Sequence, residues 1–494
     1  MELTVPNVDT SSVAIPFLIR GRVIDPADDY VEFGGRVGAR FRTPDPARYA
    51  SELVLPDPGA LLDLHATPVD EIIDFLVELG PLLSLDANPL MRAAYQLALD
   101  AGELTEPVLR PVYDEFLTLF TRDALDRVID GTVGKAYLDG WVELGRPGRS
   151  RVRKRAVGTR QLHIIAGNIP SVAAVTVIRS ALTKADCLIK MPSNDPFTAA
   201  AIVRSMIDLD PDHPVTKHFA VAYWKGGHEA VERQVIRPSR IEKLTAWGGT
   251  ASMRHIQKYL VPGIELIAFN PKWSISIVGH EALESPAAMD EAAYGVALRA
   301  GHLNQTACSS TRVVYVECST DEADLERLER FGQRVYHMFG TLPASISTAP
   351  KRPDRNLDAE LQAIALDDEF YRVTGDTSYG GVIVSRTEGR VEFANELNNR
   401  IVNLVPVPDI TLVPQWVSEA TQTVAVYPQR LREQLRDSLT LHGAQWIVPL
   451  HGAGTPVSEF DESAMDERLA VPHDGIEPLR RMVRWVLDES TDPR

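Results

Sequence analysis

A long alternation of strand and helix patterns constrains the fold of this chain more than any other feature. It begins at the apolar run "QLHIIAG" (residues 161–167) and continues to "SISIVG" (274–279), with helical spacing between successive strands. Repeated βα units of this length favour a parallel sheet with helices on both faces. Such a sheet binds ligands at the carboxyl ends of its strands. A second helix–strand series follows Ala287, so the sequence predicts an α/β protein with two such units.

The length of the chain and its changes of pattern suggest four segments. A chain of 494 residues exceeds one compact core and favours two to three domains. Apolar residues at three-to-four spacing predict a helical layer from Thr67 to Asp130. The first predicted segment (1–155) is a β and helical region that packs on the cofactor domain and carries a hairpin suited to oligomerisation. The others are a dinucleotide-binding α/β domain (156–270), a catalytic α/β domain (271–440) that carries the cysteine, and a C-terminal segment returning to the cofactor domain or to a subunit interface (441–494).

Charge and cysteine content narrow the class of protein. A formal net charge of −17 argues against binding nucleic acid or an anionic membrane, because both require a basic face. We find neither the pattern of a secretory signal nor an apolar run long enough to cross a bilayer. Cys187, Cys308 and Cys318 fit neither a disulfide framework nor a zinc site. We therefore expect a soluble, cytoplasmic protein with reduced thiols and no metal centre.

Two local patterns call for an interpretation. A basic cluster from Arg146 to Arg160 runs against the acidic trend, and it is either a solvated hairpin or a contact for a neighbouring subunit or a phosphorylated substrate. The nearest match to a G-x-G-x-x-G loop, at Gly452 and Gly454, has Val457 in place of the third glycine, and we interpret it as a plain loop. The sequence contains no P-loop and no G-x-S-x-G elbow, so it lacks the motifs that would indicate a kinase or a hydrolase.

The segment from Gly301 to Glu317 carries the strongest chemical signal. It places Cys308 among small polar residues, directly before a β-branched run. Cysteine is usually buried among apolar neighbours, so this thiol is either incidental at a helix-to-strand junction or placed there to react. The small residues that flank Cys308 leave room for a substrate carbonyl.

Four segments resemble motifs of the aldehyde dehydrogenase superfamily, and they occur in the right order at the right separations. "NQTACSSTRVVYV" is similar to the catalytic-cysteine segment, and "IIAGNIPS" to the strand-turn segment that carries an asparagine. "CLIKMPSNDPFTA" resembles the cofactor-ribose segment, and "LTAWGGTASM" the glycine turn beneath the nicotinamide and pyrophosphate. The residues at the motif positions are Asn168, Lys190, Gly248, Gly249, Asn304, Cys308 and Arg312.

Within that superfamily, the resemblance is strongest to the LuxC-type acyl-CoA reductases, which supply fatty aldehyde for bacterial luciferase. "GNIP", "KMPSNDPFTA", "AWGG" and "PHDGIEPLRRMVRWV" all resemble that branch. The resemblance implies an aldehyde dehydrogenase-like fold, with a Rossmann-like cofactor domain beside the catalytic domain. It also implies NADPH-dependent reduction of a fatty acyl thioester to an aldehyde. The acyl donor would be acyl-CoA or an acyl group carried by a partner protein, and the chain would form a homo-oligomer by analogy.

The implied chemistry gives two residues catalytic roles. Cys308 is the expected nucleophile, and thiolate attack on an activated acyl group would give a thioester. Asn168 is the expected oxyanion donor, together with the backbone N–H of Cys308. Loss of one such donor costs roughly 3 kcal/mol.

The cofactor residues favour NADPH over NADH. Lys190 is expected to meet a ribose hydroxyl or phosphate, and Gly248 and Gly249 to let the dinucleotide approach a helix N-terminus. NAD-preferring enzymes often place a carboxylate against the ribose diol, where it repels a 2′-phosphate. Here that position is Ser193, which is uncharged. Asp195 would reverse the preference if its side chain pointed inward.

The sequence departs from the superfamily where aldehyde oxidisers carry a glutamate base. Aligning on Lys272 puts Ala268, Phe269 or Asn270 in that region, so an acyl-enzyme would escape hydrolysis. If the alignment slips by three residues, Glu265 becomes the base and the protein is an acid-forming aldehyde dehydrogenase.

Two further alternatives stay open at the level of sequence. Cys308 could pair with His302 in a thioesterase or acyltransferase without a redox step. The chain could also be a non-catalytic member that binds a nucleotide for regulation.

Overall fold

The computed structural model describes residues 12–26, 29–34, 40–144, 151–450 and 469–490. The chain forms two compact units. Unit 1 comprises Met1–Gly102, Val112–Asn270 and Ser463–Arg494, and unit 2 comprises Glu103–Pro111 and Pro271–Glu462. The glycine pair Gly452 and Gly454 and the first part of the basic cluster, residues 146–150, lie outside the described residues. In the part of the chain that is described, no helix combines the length and the apolar character needed to span a bilayer.

Strands are numbered in chain order. They are β1 (Val13–Ala14), β2 (Phe17–Ile19), β3 (Arg22–Ile24), β4 (Tyr30–Gly34), β5 (Arg40–Pro44), β6 (Val142–Glu143), β7 (Arg151–Val157), β8 (Arg160–Ile164), β9 (Asp186–Lys190), β10 (Phe219–Ala222), β11 (Lys243–Trp247), β12 (Glu265–Phe269), β13 (Trp273–Val278), β14 (Thr311–Glu317), β15 (Tyr371–Asp376), β16 (Gly380–Ser385), β17 (Ile401–Val407), β18 (Thr421–Tyr427), β19 (Trp446–Pro449) and β20 (Arg484–Ser490).

The α-helices are numbered in the same way. They are α1 (Pro46–Tyr49), α2 (Leu62–Ala66), α3 (Val69–Leu79), α4 (Pro89–Ala101), α5 (Glu106–Asp114), α6 (Phe116–Leu119), α7 (Arg122–Asp130), α8 (Lys135–Asp139), α9 (Ser171–Leu182), α10 (Thr198–Leu209), α11 (Pro214–Lys217), α12 (Glu229–Val235), α13 (Thr250–Gln257), α14 (Pro286–Gly301), α15 (Glu322–Met338), α16 (Arg355–Ala365), α17 (Gln429–Leu441) and α18 (Pro478–Met482). Short 3-10 turns occur at Pro58–Leu61, Gly80–Leu83, His280–Leu283, His302–Gln305, Ala394–Glu396 and Ile410–Trp416.

Unit 1 is built on a seven-stranded sheet in the order β12-β11-β8-β9-β10-β2-β3. The five strands from β8 to β12 are parallel, whereas β2 and β3 extend the sheet antiparallel. In chain order the parallel strands stand 3-2-1-4-5, so the direction of winding reverses between β8 and β11. That reversal is where open α/β sheets bind ligands, outside the carboxyl ends of the strands. The parallel sheet expected in this region from the sequence is confirmed.

The helical layer expected between Thr67 and Asp130 is present and belongs largely to unit 1. Helix α3 buries Ile72, Ile73 and Leu76 at three-to-four spacing. Helix α4 begins where Asn88 accepts hydrogen bonds from the backbone N–H groups of Leu90 and Met91. Tertiary packing of these amphipathic faces stabilises helices that would be marginal alone.

Unit 2 has its own seven-stranded sheet, in the order β15-β16-β17-β14-β13-β18-β19. Only β15 pairs antiparallel with its neighbour. Strands β13 and β17 are buried along their whole length, as expected for parallel strands covered on both faces. One apolar cluster lies on each face of the sheet, the first including Val296 and Phe331 and the second including Ile277 and Leu435. Helices α14 and α15 contribute to the first cluster and α16 and α17 to the second.

Candidate active site

The loop that follows β8 carries the predicted oxyanion donor. Asn168 is exposed four residues beyond the end of β8. The residue before it, Gly167, cannot be larger, because an added Cβ would lie 2.4 Å from Oδ1 of Asn194 and 2.7 Å from Cγ of Pro192. The loops after β8 and β9 therefore pack directly against each other at the carboxyl edge of the unit 1 sheet. This packing explains the glycine of the "GNIP" segment.

The glycine pair lies at the same edge, between β11 and α13. An added Cβ at Gly248 would approach Cβ of Ser252 at 3.0 Å, which makes that position tight. Gly249 is different, because its φ is −69° and no atom lies within 4 Å of where its Cβ would be. Neither the backbone conformation nor a neighbour requires glycine there. Open space beside the first turn of α13 leaves room for a ligand to approach the helical N–H groups.

Lys190 ends β9 beside two buried aromatic rings. Its ammonium lies 5.6 Å from the ring centroid of Tyr223 and 5.5 Å from that of Trp224. Among the residues that the structure describes, this ammonium forms no hydrogen bond or ion pair. Burial lowers the pKa of Lys190 to about 8, although the carboxylate of Glu232 acts in the opposite direction. A desolvated cation of this kind fits an anionic ligand group, as expected for a cofactor phosphate.

Ser193 and Asp195 follow Lys190 in the loop that leads to α10. Ser193 is half-buried, whereas Asp195 is buried. Oδ1 of Asp195 accepts hydrogen bonds from the backbone N–H of Thr198 at 3.2 Å and from its hydroxyl at 2.6 Å. Burial raises the pKa of Asp195 to about 6 despite these hydrogen bonds. The carboxylate that could have favoured NADH is thus used at the start of α10.

Glu232 is a residue near Lys190 that the sequence analysis missed. It is buried on α12 and accepts hydrogen bonds from Nε2 of His255 and the hydroxyl of Tyr259, both at 2.8 Å, and from the N–H of Gly227 at 3.1 Å. Burial alone would raise the pKa of Glu232, but the three donors outweigh it and the pKa lies below the usual value. The contact ties α12 to α13. No local sequence pattern marks this buried glutamate, because its two side-chain partners, His255 and Tyr259, lie more than twenty residues away.

Cys308 lies in unit 2, in the loop before the amino end of β14. It is half-buried, whereas Cys187 and Cys318 are buried. Burial raises the pKa of Cys318 to about 12 and that of Cys187 well above its usual value. The carbonyl oxygen of Cys308 accepts a hydrogen bond from Oγ of Ser274 on β13 at 2.7 Å. Of the three cysteines, only Cys308 combines partial exposure with a fixed backbone.

Three consecutive residues with positive φ precede the thiol. Leu303, Asn304 and Gln305 have φ values of 49°, 51° and 65°, and none of them is glycine. The left-handed region costs an L-residue roughly 1–2 kcal/mol, and it is normally visited by single residues. A run of three therefore requires strong interactions with the surrounding structure.

Arg312, at the position four residues after the thiol, is a charged neighbour of Cys308. Its guanidinium donates a hydrogen bond to the carbonyl of Asn395 at 2.7 Å. Burial lowers the pKa of Arg312, and an electrostatic interaction with Cys308 opposes that shift. The positive charge close to the sulfur favours its thiolate form, which is the nucleophilic form of cysteine.

Glu265 lies at the wrong end of its strand to serve as a base. It is the first residue of β12, roughly 13 Å along the strand from Phe269 at the carboxyl end. Its carboxylate pairs with Lys243 and, at 2.8 Å, with Arg481. Burial would raise the pKa of Glu265, but these two cations outweigh it and lower the pKa. The carboxyl end of β12 carries Ala268, Phe269 and Asn270, none of which is a base.

One group of potential metal ligands occurs in the described part of unit 2. His280, Glu281 and Glu317 offer ligand-type atoms within 4.8 Å of one another. Each of these residues already has a protein partner, since Glu317 accepts from the backbone N–H and from Nδ1 of His280, and Oε1 of Glu281 pairs with Arg430. The group lies at the carboxyl ends of β13 and β14, whereas Cys308 lies at the amino end of β14. We assign it no metal.

Comparison with known proteins gives a family match and a fold match. The family model described as acyl-CoA reductase (LuxC) matches residues 64–485. The chain is 31% identical over 377 residues to a long-chain acyl-protein thioester reductase of Aliivibrio fischeri, covering 76% of this chain and 72% of that protein. A lactaldehyde dehydrogenase from Escherichia coli superposes with a TM-score of 0.69 at 15% identity, covering 97% of this chain and 99% of the other. An NADP-dependent glyceraldehyde-3-phosphate dehydrogenase from Bacillus halodurans C-125, complexed with NADP, gives a TM-score of 0.68 at 12% identity, covering 97% and 99%. The expected aldehyde dehydrogenase-like fold is confirmed.

Proposed function

This chain belongs to the LuxC family of acyl-CoA reductases and is an acyl reductase, and we propose that it forms an aldehyde from an acyl thioester through a covalent acyl group on Cys308. The half-buried thiol, set beside Arg312 and held by its carbonyl on Ser274, is the observation that carries this proposal. The two other cysteines are buried and keep their protons. The acyl donor is an acyl-CoA or an acyl group carried by a partner protein, and the acyl-protein substrate in the name of the Aliivibrio fischeri relative supports the second source.

The reductant of an acyl reductase with this fold is a nicotinamide cofactor, and we propose NADPH rather than NADH. Lys190 would hold the 2′-phosphate, because its ammonium is desolvated beside Tyr223 and Trp224. Ser193 would donate a hydrogen bond to the same group. Gly248 and Gly249 would hold the pyrophosphate at the start of α13, where space is open. Asp195, fixed by Thr198, no longer argues for NADH.

The proposed reaction divides into an acyl transfer and a reduction. The Cys308 thiolate adds to the thioester carbonyl and forms a new C–S bond. The bond to the donor sulfur then breaks, and the donor leaves as a thiolate. Asn168 and the backbone N–H of Cys308 donate hydrogen bonds to the oxygen while it carries negative charge. A bound nicotinamide would supply a hydride to the acyl carbon, which would again leave negative charge on the acyl oxygen. The oxyanion then reforms a carbonyl, the bond to Cys308 breaks, and the thiolate takes up a proton as free aldehyde departs.

The absence of a base at residues 268–270 fits this outcome. An acid-forming enzyme must deprotonate a water molecule to hydrolyse its acyl-enzyme. Ala268, Phe269 and Asn270 cannot do so, and Glu265 is held by Lys243 and Arg481 at the other end of β12. The thioester on Cys308 therefore lasts long enough to be reduced.

We also propose a homo-oligomer, with the sheet formed by β6, β7 and β20 as its contact surface. This sheet has the order β20-β7-β6, and Leu487 on β20 is 66% exposed. Lys154 on β7 packs over the ring of Trp485 at 3.9 Å, which orders the basic strand without neutralising it. Within the described residues β20 is an edge strand of this sheet, and an exposed edge strand is a template for pairing with another chain.

Intact mass spectrometry tests the covalent step. Wild-type protein mixed with a long-chain acyl-CoA and no cofactor is expected to gain the mass of one acyl group, and then to lose it as aldehyde when NADPH is added. Cys308→Ala is expected to gain no acyl mass and to form no aldehyde, while its Kd for NADPH is unchanged. Cys318→Ala is the matched control and is expected to behave as wild type. Acylation or turnover in Cys308→Ala would refute the proposal.

A further inference from the structure

The left-handed turn before Cys308 needs an explanation beyond the presence of the thiol. Leu303, Asn304 and Gln305 all have positive φ, and no glycine relieves the strain. Conformations of this kind persist only where the surrounding structure determines them, and they cluster at functional sites. The side chains of Asn304 and Gln305 are both buried, 4% and 1% exposed. Their contacts show what holds the turn.

The amide of Gln305 makes three hydrogen bonds to backbone groups of two strands. Its Nε2 donates to the carbonyl of Thr311 at 2.9 Å and to that of Ile401 at 2.8 Å. Its Oε1 accepts from the backbone N–H of Ile401 at 2.9 Å. Thr311 and Ile401 are the first residues of β14 and β17. Gln305 therefore fixes the turn to the amino ends of two neighbouring strands.

Asn304 holds the other side of the turn. Its Oδ1 accepts from the backbone N–H of Thr348 at 2.9 Å, and its Nδ2 lies 3.2 Å from the Thr348 hydroxyl. That hydroxyl is 2.5 Å from the hydroxyl of Thr105, in the segment Glu103–Pro111 that belongs to unit 2. Thr348 thus links the turn to a part of the chain almost two hundred residues earlier.

These contacts enclose Cys308 from both directions along the chain. Gln305 is three residues before the thiol, and its partner Thr311 is three residues after it. Between them, Ser274 holds the carbonyl of Cys308. We infer that Gln305, assisted by Asn304, is a positioning residue that sets the direction of the Cys308 sulfur for attack on the acyl carbonyl. This inference rests on the proposed function, in which Cys308 accepts the acyl group.

A primary amide matches the groups that surround Gln305. Two carbonyls accept hydrogen bonds from its N–H groups, and its oxygen accepts one from the N–H of Ile401, which also donates to the carbonyl of Asn398. Glutamate has the same shape, but its ionised form would face the carbonyls of Thr311 and Ile401 with negative oxygens. A protonated glutamate can donate one hydrogen bond and restore part of the contact. The function of Gln305→Glu should therefore recover as pH falls.

The test compares Gln305→Glu with a matched buried amide of the same unit. Asn403 is 0% exposed on β17, and its amide bonds to the carbonyl of Ile383 and to Ser385, and accepts from the N–H of Val391. Asn403→Asp therefore destabilises unit 2 in a similar way without touching the turn. For each protein, the measurements are the rate of acylation by a long-chain acyl-CoA, the rate of Cys308 alkylation by iodoacetamide, the Kd for NADPH and the melting temperature.

We expect acylation of Gln305→Glu to slow by roughly 10- to 100-fold, because a misplacement of about 1 Å has an effect of that size. The rate of Cys308 alkylation should change less than about threefold, because iodoacetamide is small and needs only an accessible thiolate. The ratio of variant to wild-type acylation should rise as pH falls. Asn403→Asp should show the loss of melting temperature but near wild-type acylation.

Wild-type acylation in folded Gln305→Glu would overturn the inference, as would equal slowing in Asn403→Asp. If Gln305→Glu fails to fold, Asn304→Gly decides, because glycine accepts a φ of 51° while the amide is lost. Slower acylation in Asn304→Gly supports the inference, and an unchanged rate overturns it. Failure of the proposed function is distinguishable, because wild-type protein would then gain no acyl mass or Cys308→Ala would still gain it.

Discussion

In unit 1 the residues proposed to function lie at the carboxyl end of the parallel sheet, whereas in unit 2 they lie at the amino end. In unit 1, Asn168, Lys190 and Gly248 stand at the carboxyl ends of β8, β9 and β11. In unit 2, Cys308 precedes the amino end of β14, and its neighbour Ser274 is the second residue of β13. Binding at the carboxyl ends is the general rule for open α/β sheets. Unit 1 follows this rule, whereas unit 2 does not.

The two sheet ends also differ in the residues that shape them. At the edge of unit 1, glycine provides space: Gly167 admits Asn194, and Gly249 leaves an opening beside α13. At the edge of unit 2, ordinary residues adopt left-handed conformations and buried amides hold them there. A ligand site needs room, which the sheet topology and a few glycines supply. A nucleophile must be oriented toward the atom that it attacks, which requires side-chain contacts that fix its position.

The largest effect that tests this comparison is expected from Asn168→Ala. If the edge of unit 1 contributes to the chemistry, kcat for aldehyde formation should fall by roughly 10²- to 10³-fold, because one oxyanion donor is lost. The Kd for NADPH should stay within about twofold, since the amide is proposed to contact the acyl oxygen. Single-turnover kinetics with a long-chain acyl-CoA separate the two quantities. A rise in Kd with unchanged kcat would make this edge a cofactor site alone and break that part of the assignment.

A smaller effect is expected from Lys190→Gln. Removal of the ammonium should weaken NADPH binding by about 10- to 100-fold, the range of a charge-assisted contact to phosphate, and should change NADH binding far less. Fluorescence titration with each cofactor measures both. An equal loss for NADPH and NADH would show that Lys190 does not read the 2′-phosphate.

Because the pKa of Lys190 is lowered, the proposed contact with NADPH should make NADPH affinity depend on pH. Burial lowers its pKa to about 8, so the ammonium is present below that pH and is lost as pH rises through it. In wild-type protein the affinity for NADPH should therefore fall between about pH 7 and pH 9, while that for NADH stays nearly flat. Lys190→Arg keeps its charge throughout this range and serves as the control. A pH-independent NADPH affinity would contradict the lowered pKa.

Sequence reasoning reached the residues of unit 1 more readily than the supports of unit 2. Asn168, Lys190 and Gly249 directly follow or end apolar runs, so a parallel sheet brings them to one edge. The small polar neighbours of Cys308 predicted a reactive thiol. No local pattern predicted the role of Gln305, because its partner Ile401 lies 96 residues away. The left-handed run was equally hidden, since none of its residues is glycine and the contacts that stabilise it come from Thr348 and Thr311.

The smallest effect is expected at the amino end of the unit 1 sheet, away from the residues proposed to function. Glu265 begins β12 and pairs with Lys243 and Arg481, far along the strand from Phe269. Glu265→Gln should leave kcat and the Kd for NADPH within about twofold, because no proton transfer depends on it. Only stability should change. The two cations hold the pKa of Glu265 below its usual value, so its contribution is present above the unfolded-state pKa and is lost as pH falls through the folded-state pKa. Wild type should therefore melt slightly above Glu265→Gln at pH 7, and the gap should close under acid conditions. A marked loss of acid or aldehyde formation in this variant would place a catalytic group at the amino end of the unit 1 sheet. The contrast between the two sheets would then be wrong.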